Sequence, residues 1–353
     1  MGINPVLVDV IRGETVESRH RGAIAFAGHG LKEGAALGDV DRPVFPRSAI
    51  KALQALALVE TGAADAAAVT DAELALACAS HNGEEAHVAG ARAMLEKAGL
   101  GETALECGSH WPRLDADIAR LHKAGEEPTA IHNNCSGKHA GFLVLANHLG
   151  IDPKGYVNAD HPLQQKIRGI LEEMMGAAHA VDACGIDGCS IPTYAVPLTV
   201  IAKGFAHIAD PEGLALERAD ACRRLYTACV SHPHMVAGTK RFCTDVMELF
   251  KGRVFVKVGA EGVYTAAIPE LSLGVALKCD DGAIRGAEVM MAAVINALVP
   301  MSREERDAFG AFLQPKLTNW NGIEVGSLRP SEDFARLLRA VLITNGWEGD
   351  IVT

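Results

Sequence analysis

Ser48 and Lys51 stand three residues apart in Phe45-Pro46-Arg47-Ser48-Ala49-Ile50-Lys51, a spacing that stacks both side chains on one side of a first helical turn. An amine removed from water holds its proton less tightly, and a neutral amine within reach of a hydroxyl is a base that turns serine into a nucleophile. The chemistry so implied is acyl transfer. Apart from Lys51 and Gln54, the residues from Ala49 to Val59 are apolar, so the helix expected to begin at Pro46 should be buried on all sides. The same three-residue spacing also opens ordinary surface helices, and alone it decides nothing.

Other stretches gather polar side chains where a helix cap explains them poorly. Asn133-Asn134-Cys135-Ser136-Gly137-Lys138-His139 opens a helix with groups whose backbone amides could hold an anion or place side chains. Gly185-Ile186-Asp187-Gly188-Cys189 is a second such turn, ending in a thiol. Two cysteines converging with a Lys or a His could hold a soft divalent cation such as zinc, although the spacing follows no finger pattern, and buried free thiols are the commoner outcome. In Val16-Glu17-Ser18-Arg19-His20, Glu17 and His20 are read as polar strand faces rather than site residues.

The elements that must position these groups follow from periodicity. Asn4 to Arg12 and Gly22 to Ala27 read as strands, the second punctuated by Gly28-His29-Gly30. Thr70 and Glu73 form a capping box for a helix that stops at Cys78-Ala79-Ser80-His81, and Asn82 with Glu85 is expected to start the next one. The chain up to about Pro233 reads as mostly helical, with an extended segment from Tyr194 to Val200. Three β runs, Arg253 to Gly259, Gly262 to Ile268 and Leu271 to Lys278, look like a meander carrying Lys257. Helices from Ala283 to Leu298 and Pro330 to Leu342 follow, with a short strand near Ile323 to Val325. The expected fold class is α+β. In that arrangement residues 1–45 and 250–353 form an antiparallel sheet part, residues 46–249 form an inserted helical part, and the Ser48 helix lies between them in one catalytic unit.

Composition narrows the function further. Lys and Arg number 33 against 44 Asp and Glu, for a net charge of −11, with no basic block, so nucleic acid is not expected as a partner. The amino terminus shows no basic leader or apolar signal core, and no apolar run reaches membrane-spanning length; the expected location is the cytoplasm, with no membrane partner. Nine cysteines, an odd number, suggest thiols rather than a disulfide framework.

The ordered triple Ser48-x-x-Lys51, Ser80-His81-Asn82 and Lys257-Val258-Gly259 is similar to the signature set of penicillin-binding proteins and serine β-lactamases. His81 and Val258 replace residues of that set, and Ser80 follows Ser48 unusually soon, which argues against a β-lactam substrate. At a finer level the chain resembles the class 3, rhizobial-type L-asparaginases of the asparaginase II family. The resemblance runs through Val16-Glu17-Ser18-Arg19-His20, Arg47-Ser48-Ala49-x-Lys51, Cys78-Ala79-Ser80-His81, Asn134 to His139, Asp187-Gly188-Cys189, His232-Pro233-x-Met235-Val236-Ala237-Gly238 and Lys257-x-Gly259-Ala260.

That resemblance implies a serine β-lactamase-like fold, usually a homodimer, that hydrolyses L-asparagine to aspartate and ammonia. It implies two serine-lysine tandems, Ser48 with Lys51 and Ser80 with Lys257, and one zinc ion per chain held by Cys135, Lys138 and Cys189. Arg47, His81, Asn134 and Asp187 would face the substrate. The expected mechanism has Ser48 attack the side-chain amide after giving its proton to Lys51. Backbone amides of Ser48 and Ala260 would meet the oxyanion, and Ser80 would serve the leaving ammonia. Lys138 as a ligand would be a neutral amine. Two other readings stand beside this one: a serine amidohydrolase for glutamine or a D-amino-acid peptide, and a catalytically silent metal or amino-acid binding protein.

Overall fold

The computed structural model describes residues 3–28, 30–32 and 34–347. Met1 and Gly2, at the amino terminus read above for a leader, and His29 of the turn after the second strand lie outside the described residues. The chain forms two compact units. The first comprises Met1–Val44, Val196–Asp210 and Val256–Thr353, and the second comprises Phe45–Ala195 and Pro211–Phe255.

The first unit is built on an eight-stranded sheet drawn from both ends of the sequence. Its order is Phe255–Gly259, Val263–Ile268, Leu273–Cys279, Thr15–Gly28, Val6–Arg12, Glu324–Pro330 and Lys316–Thr318, with Ala36–Leu37 added to Thr15–Gly28. The pairings from Val263–Ile268 across to Lys316–Thr318 are all antiparallel. The Phe255–Gly259 and Val263–Ile268 strands are buried throughout, Lys257 included, which suits their mostly apolar, non-alternating sequence. Val16 to His20 fall within the long Thr15–Gly28 strand rather than between two strands. Glu17 pairs with Arg12 at 2.9 Å on the surface, and buried His20 meets Asp281 at 2.7 Å through Nδ1.

The segment Val196–Asp210, read above as part of the helical block, belongs to this first unit. The strand expected from Tyr194 to Val200 is only Pro192–Tyr194, and the helix Leu198–Ala209 begins directly after Pro197. Its apolar face packs on Leu273–Cys279 and Thr15–Gly28. Gly274 permits that contact: a Cβ there would come within 2.1 Å of the Ala206 nitrogen and 2.2 Å of the Ala202 oxygen. Near the carboxyl end, a helix not anticipated from the sequence spans Arg303–Leu313, capped by Ser302 and Glu305, and the last helix runs Phe334–Thr344 rather than from Pro330. The expected short strand there is longer, Glu324–Pro330.

The second unit is mainly helical, with one two-stranded antiparallel ribbon, Cys184–Ile186 against Pro192–Tyr194. The Lys51–Glu60 helix is buried from Lys51 to Leu58. It packs against the Ser136–Leu149, Pro162–Met175 and Leu216–Ser231 helices. A helix enclosed on several sides has no polar face to offer water, and its sequence accordingly shows none. Among the described residues no helix is long and apolar enough to cross a membrane, and all nine cysteines are free thiols.

Candidate active site

Ser48 sits on a turn rather than on the α-helix expected from Pro46. Arg47–Ile50 is a short 3-10 turn, and the α-helix begins only at Lys51. Arg47 takes a φ of +53°, a left-handed conformation unusual for a residue with a Cβ and one that persists where its surroundings enforce it. From that position the Arg47 guanidinium donates to the Asp187 carboxylate. Asp187 itself is presented by a tight turn in which its amide donates to the Ile191 carbonyl at 2.8 Å and its carbonyl accepts from Ser190 at 2.8 Å.

Arg47, Ser48, Lys51, Lys138 and Asp187 line one cavity of about 10 Å³, together with Gln54, Ile191, Pro192 and Thr193. Ser48 and Lys51 are both buried. Lys51 Nζ donates to the Ala79 carbonyl and, at 3.0 Å, to the Cys135 sulfur; Ser48 is not among its hydrogen-bond partners. The amine therefore reaches from the Ser48 cavity to the residue just before Ser80.

The Ser80 corner is held by three segments. Ser80 accepts at Oγ from Asn134 Nδ2 at 2.9 Å, its amide donates to the Val236 carbonyl, and its carbonyl accepts from Arg241. Asn82 does not cap the next helix. That helix, Glu85–Lys97, has Glu84 as its N-cap. Asn82 instead donates to Glu84 at 3.0 Å and to the Thr239 carbonyl, and it accepts from Arg241 at 3.0 Å. Burial works against the Glu84 charge, yet the hydroxyl and amide of Thr239, with Asn82 and His234, bring its carboxyl down to about 2. His81, expected to contact substrate, is wholly buried. Its Nδ1 accepts from the Gly83 amide and its Nε2 meets Ser136 Oγ at 3.0 Å. Burial, and after it the nearby His87 and Lys51, holds that imidazole well below its ordinary pKa, so it is a neutral strut of the corner.

Cys135 and Cys189 approach each other with Asp187, their ligand atoms all within 4.8 Å. Lys138 Nζ donates to the Cys189 sulfur at 2.9 Å, and the Cys189 thiol lies 3.2 Å from Asp187. The Ser136–Leu149 helix that carries Lys138 approaches the Asp71–Ala77 helix closely because residue 137 is glycine: a Cβ there would meet Leu76 at 2.4 Å. The two thiols do not share charge equally. A hydrogen bond from Cys189 brings the Cys135 pKa far below its usual value despite burial, with Lys51 and Lys138 assisting. Cys189, keeping its proton in that bond and itself buried, is pushed up. Lys138 is raised: burial alone would lower it, but Cys189, Cys135 and Asp187 outweigh that effect. Before any metal binds, Lys138 is thus an ammonium rather than the neutral amine expected of a ligand.

Two expected residues belong to the other unit. Lys257 is fully buried on the Phe255–Gly259 strand and donates to the Val258 carbonyl at 2.8 Å, and Ala260 follows that strand. Four residues were missed: Gln54 and Thr193 in the Ser48 cavity, and Glu84 and Arg241 at the Ser80 corner. Gln54 alone had a signal, as a polar residue in an apolar helix; the others depend on partners distant in sequence. A family model described as L-asparaginase II matches residues 8–330. No curated protein matches the chain.

Proposed function

As a chain that belongs to the asparaginase II family, this protein is an L-asparaginase, and we propose that it hydrolyses asparagine through an acyl-enzyme on Ser48. The observation that carries the reading is that Ser48 and Lys51 share one buried cavity with an oppositely charged pair, Arg47 and Asp187. A zwitterionic amino acid presents the same two charges. Ser48 Oγ attacks the side-chain amide carbon, its proton passing to Lys51, and its own backbone amide at the start of the turn meets the oxyanion. Ser80 already accepts a hydrogen bond from Asn134, which leaves its hydroxyl free to give its proton to the departing ammonia and to be reprotonated with the proton that Lys51 took from Ser48. Water then hydrolyses the aspartyl ester.

The same proposal includes zinc held by Cys135, Lys138 and Cys189. Two sulfurs and a nitrogen suit that ion, and the thiol cluster is compact enough to hold it. Bound there, the ion supplies fixed positive charge for the polar end of a substrate. For Lys138 to ligate it, the ammonium must give up a proton.

The finer readings rest on the same resemblance. The sheet drawn from both ends of the chain around a helical insertion supports a β-lactamase-like fold; the homodimer and the cytoplasmic location are carried with it. Asparagine is preferred over glutamine or a D-amino-acid peptide because the family match covers most of the chain. Acid quenching during turnover tests the core of the proposal: the peptide containing Ser48 should carry one aspartyl group. An adduct on Ser80 instead would reverse the two serines.

A further inference from the structure

Gln54 lies one turn beyond Lys51 on the Lys51–Glu60 helix and is 7% exposed. Its Oε1 is buried and accepts no hydrogen bond. Buried acceptors are almost always satisfied, and an unsatisfied one beside a reactive cavity calls for a partner such as a water. Gln54 borders two small spaces of about 10 Å³ each. One, shared with Ala55, Leu58, Phe142 and Leu145, is mainly apolar; the other is the Ser48 cavity, polar and large enough for one water. The cations lining that cavity are committed elsewhere, Lys51 to Ala79 and Cys135, Lys138 to Cys189, and Arg47 to Asp187. None of these cations is bonded to Gln54 Oε1, and a water in the cavity could serve as its donor.

We propose that Gln54 is the positioning residue for the water that hydrolyses the Ser48 acyl-enzyme. The proposal rests on the acyl-enzyme reading above. One O–H of the water donates to Gln54 Oε1, which aims the oxygen lone pair at the ester carbon. The new carbon–oxygen bond forms, the bond to Ser48 Oγ breaks, and the proton lost by the water ends on Ser48 Oγ, giving aspartate and free serine. No oxidant or further reactant is needed. Gln54 does not take part in forming the ester, so its loss should slow only the second half of the cycle.

The test uses Gln54→Met, which keeps length and burial but has no comparable acceptor, and Gln54→Glu, which keeps one; Gln54→Leu repeats the first arm should the Met variant fail to fold. Ammonia release from asparagine is followed by rapid quench, with mass analysis of the Ser48 peptide. Gln54→Met should release its first equivalent at the wild-type rate, then turn over about tenfold to a hundredfold more slowly. Its kcat and KM should fall together while the aspartyl adduct accumulates, and Gln54→Glu should keep most of the wild-type rate. Equal slowing of the first and later equivalents, or no slowing, overturns the proposal while the Ser48 reading stands. Activity that survives Ser48→Ala overturns both.

Discussion

Lys51 Nζ lies 3.0 Å from the sulfur of Cys135, so the amine proposed as base for Ser48 is held by a proposed zinc ligand. Cys189 makes no such contact with Lys51 and is bonded to Lys138 instead. Cys135→Ala and Cys189→Ala should both lose zinc, whereas only Cys135→Ala also frees the base. We expect the Cys135 variant to be slower than the Cys189 variant by about tenfold or more, the effect of one hydrogen bond to a charged group. Metal content and asparaginase rates on the two purified proteins check this. Full zinc in the double variant would refute the ligand set, and equal rates would separate Lys51 from it.

Asn134 donates to Ser80 Oγ at 2.9 Å and so orients the hydroxyl proposed to serve the leaving ammonia. Asn134→Leu should lower kcat about tenfold to a hundredfold, since misdirecting one proton donor costs that much. Steady-state kinetics beside a thermal melt decide it. An unchanged kcat would remove Ser80 from the proton path.

Glu84 ties the Ser80 corner to Thr239 and His234. Its folded carboxyl titrates near 2, below the usual 4.5, so its stabilisation is complete above the usual value and is lost as pH falls toward 2. Glu84→Gln should cost about 1–3 kcal/mol at neutral pH, and its melting temperature should converge on that of the wild type as the pH is lowered through that window. A gap between the two melting curves that stays constant with pH would show that the charge of Glu84 contributes nothing.

Much of this arrangement was legible where the deciding interaction is local. Thr70 and Glu73 form their capping box as read, and Ser48, Lys51 and the two cysteine turns stand out because polar residues interrupt apolar runs. What escaped depends on contacts made far along the chain. Asn82 looks like a helix cap, but Thr239 and Arg241, more than 150 residues away, claim its side chain. His81 looks like a substrate contact, yet Gly83 and Ser136 occupy both its nitrogens. The left-handed Arg47 has no sequence signature, because arginine is not a residue that favours that conformation, and its partner Asp187 lies 140 residues away. The Arg303–Leu313 helix does carry one, the Ser302–Glu305 capping box.

The most direct test is ammonia release from asparagine by the wild type, Ser48→Ala, Lys51→Ala and the double variant. Nucleophile and base acting as a unit predict that each single variant loses all but about a hundredth of the rate, and that the double variant is little worse. A Ser48→Ala enzyme that keeps about a tenth or more of the wild-type rate would contradict the account, because a nucleophile cannot be dispensed with at so small a cost.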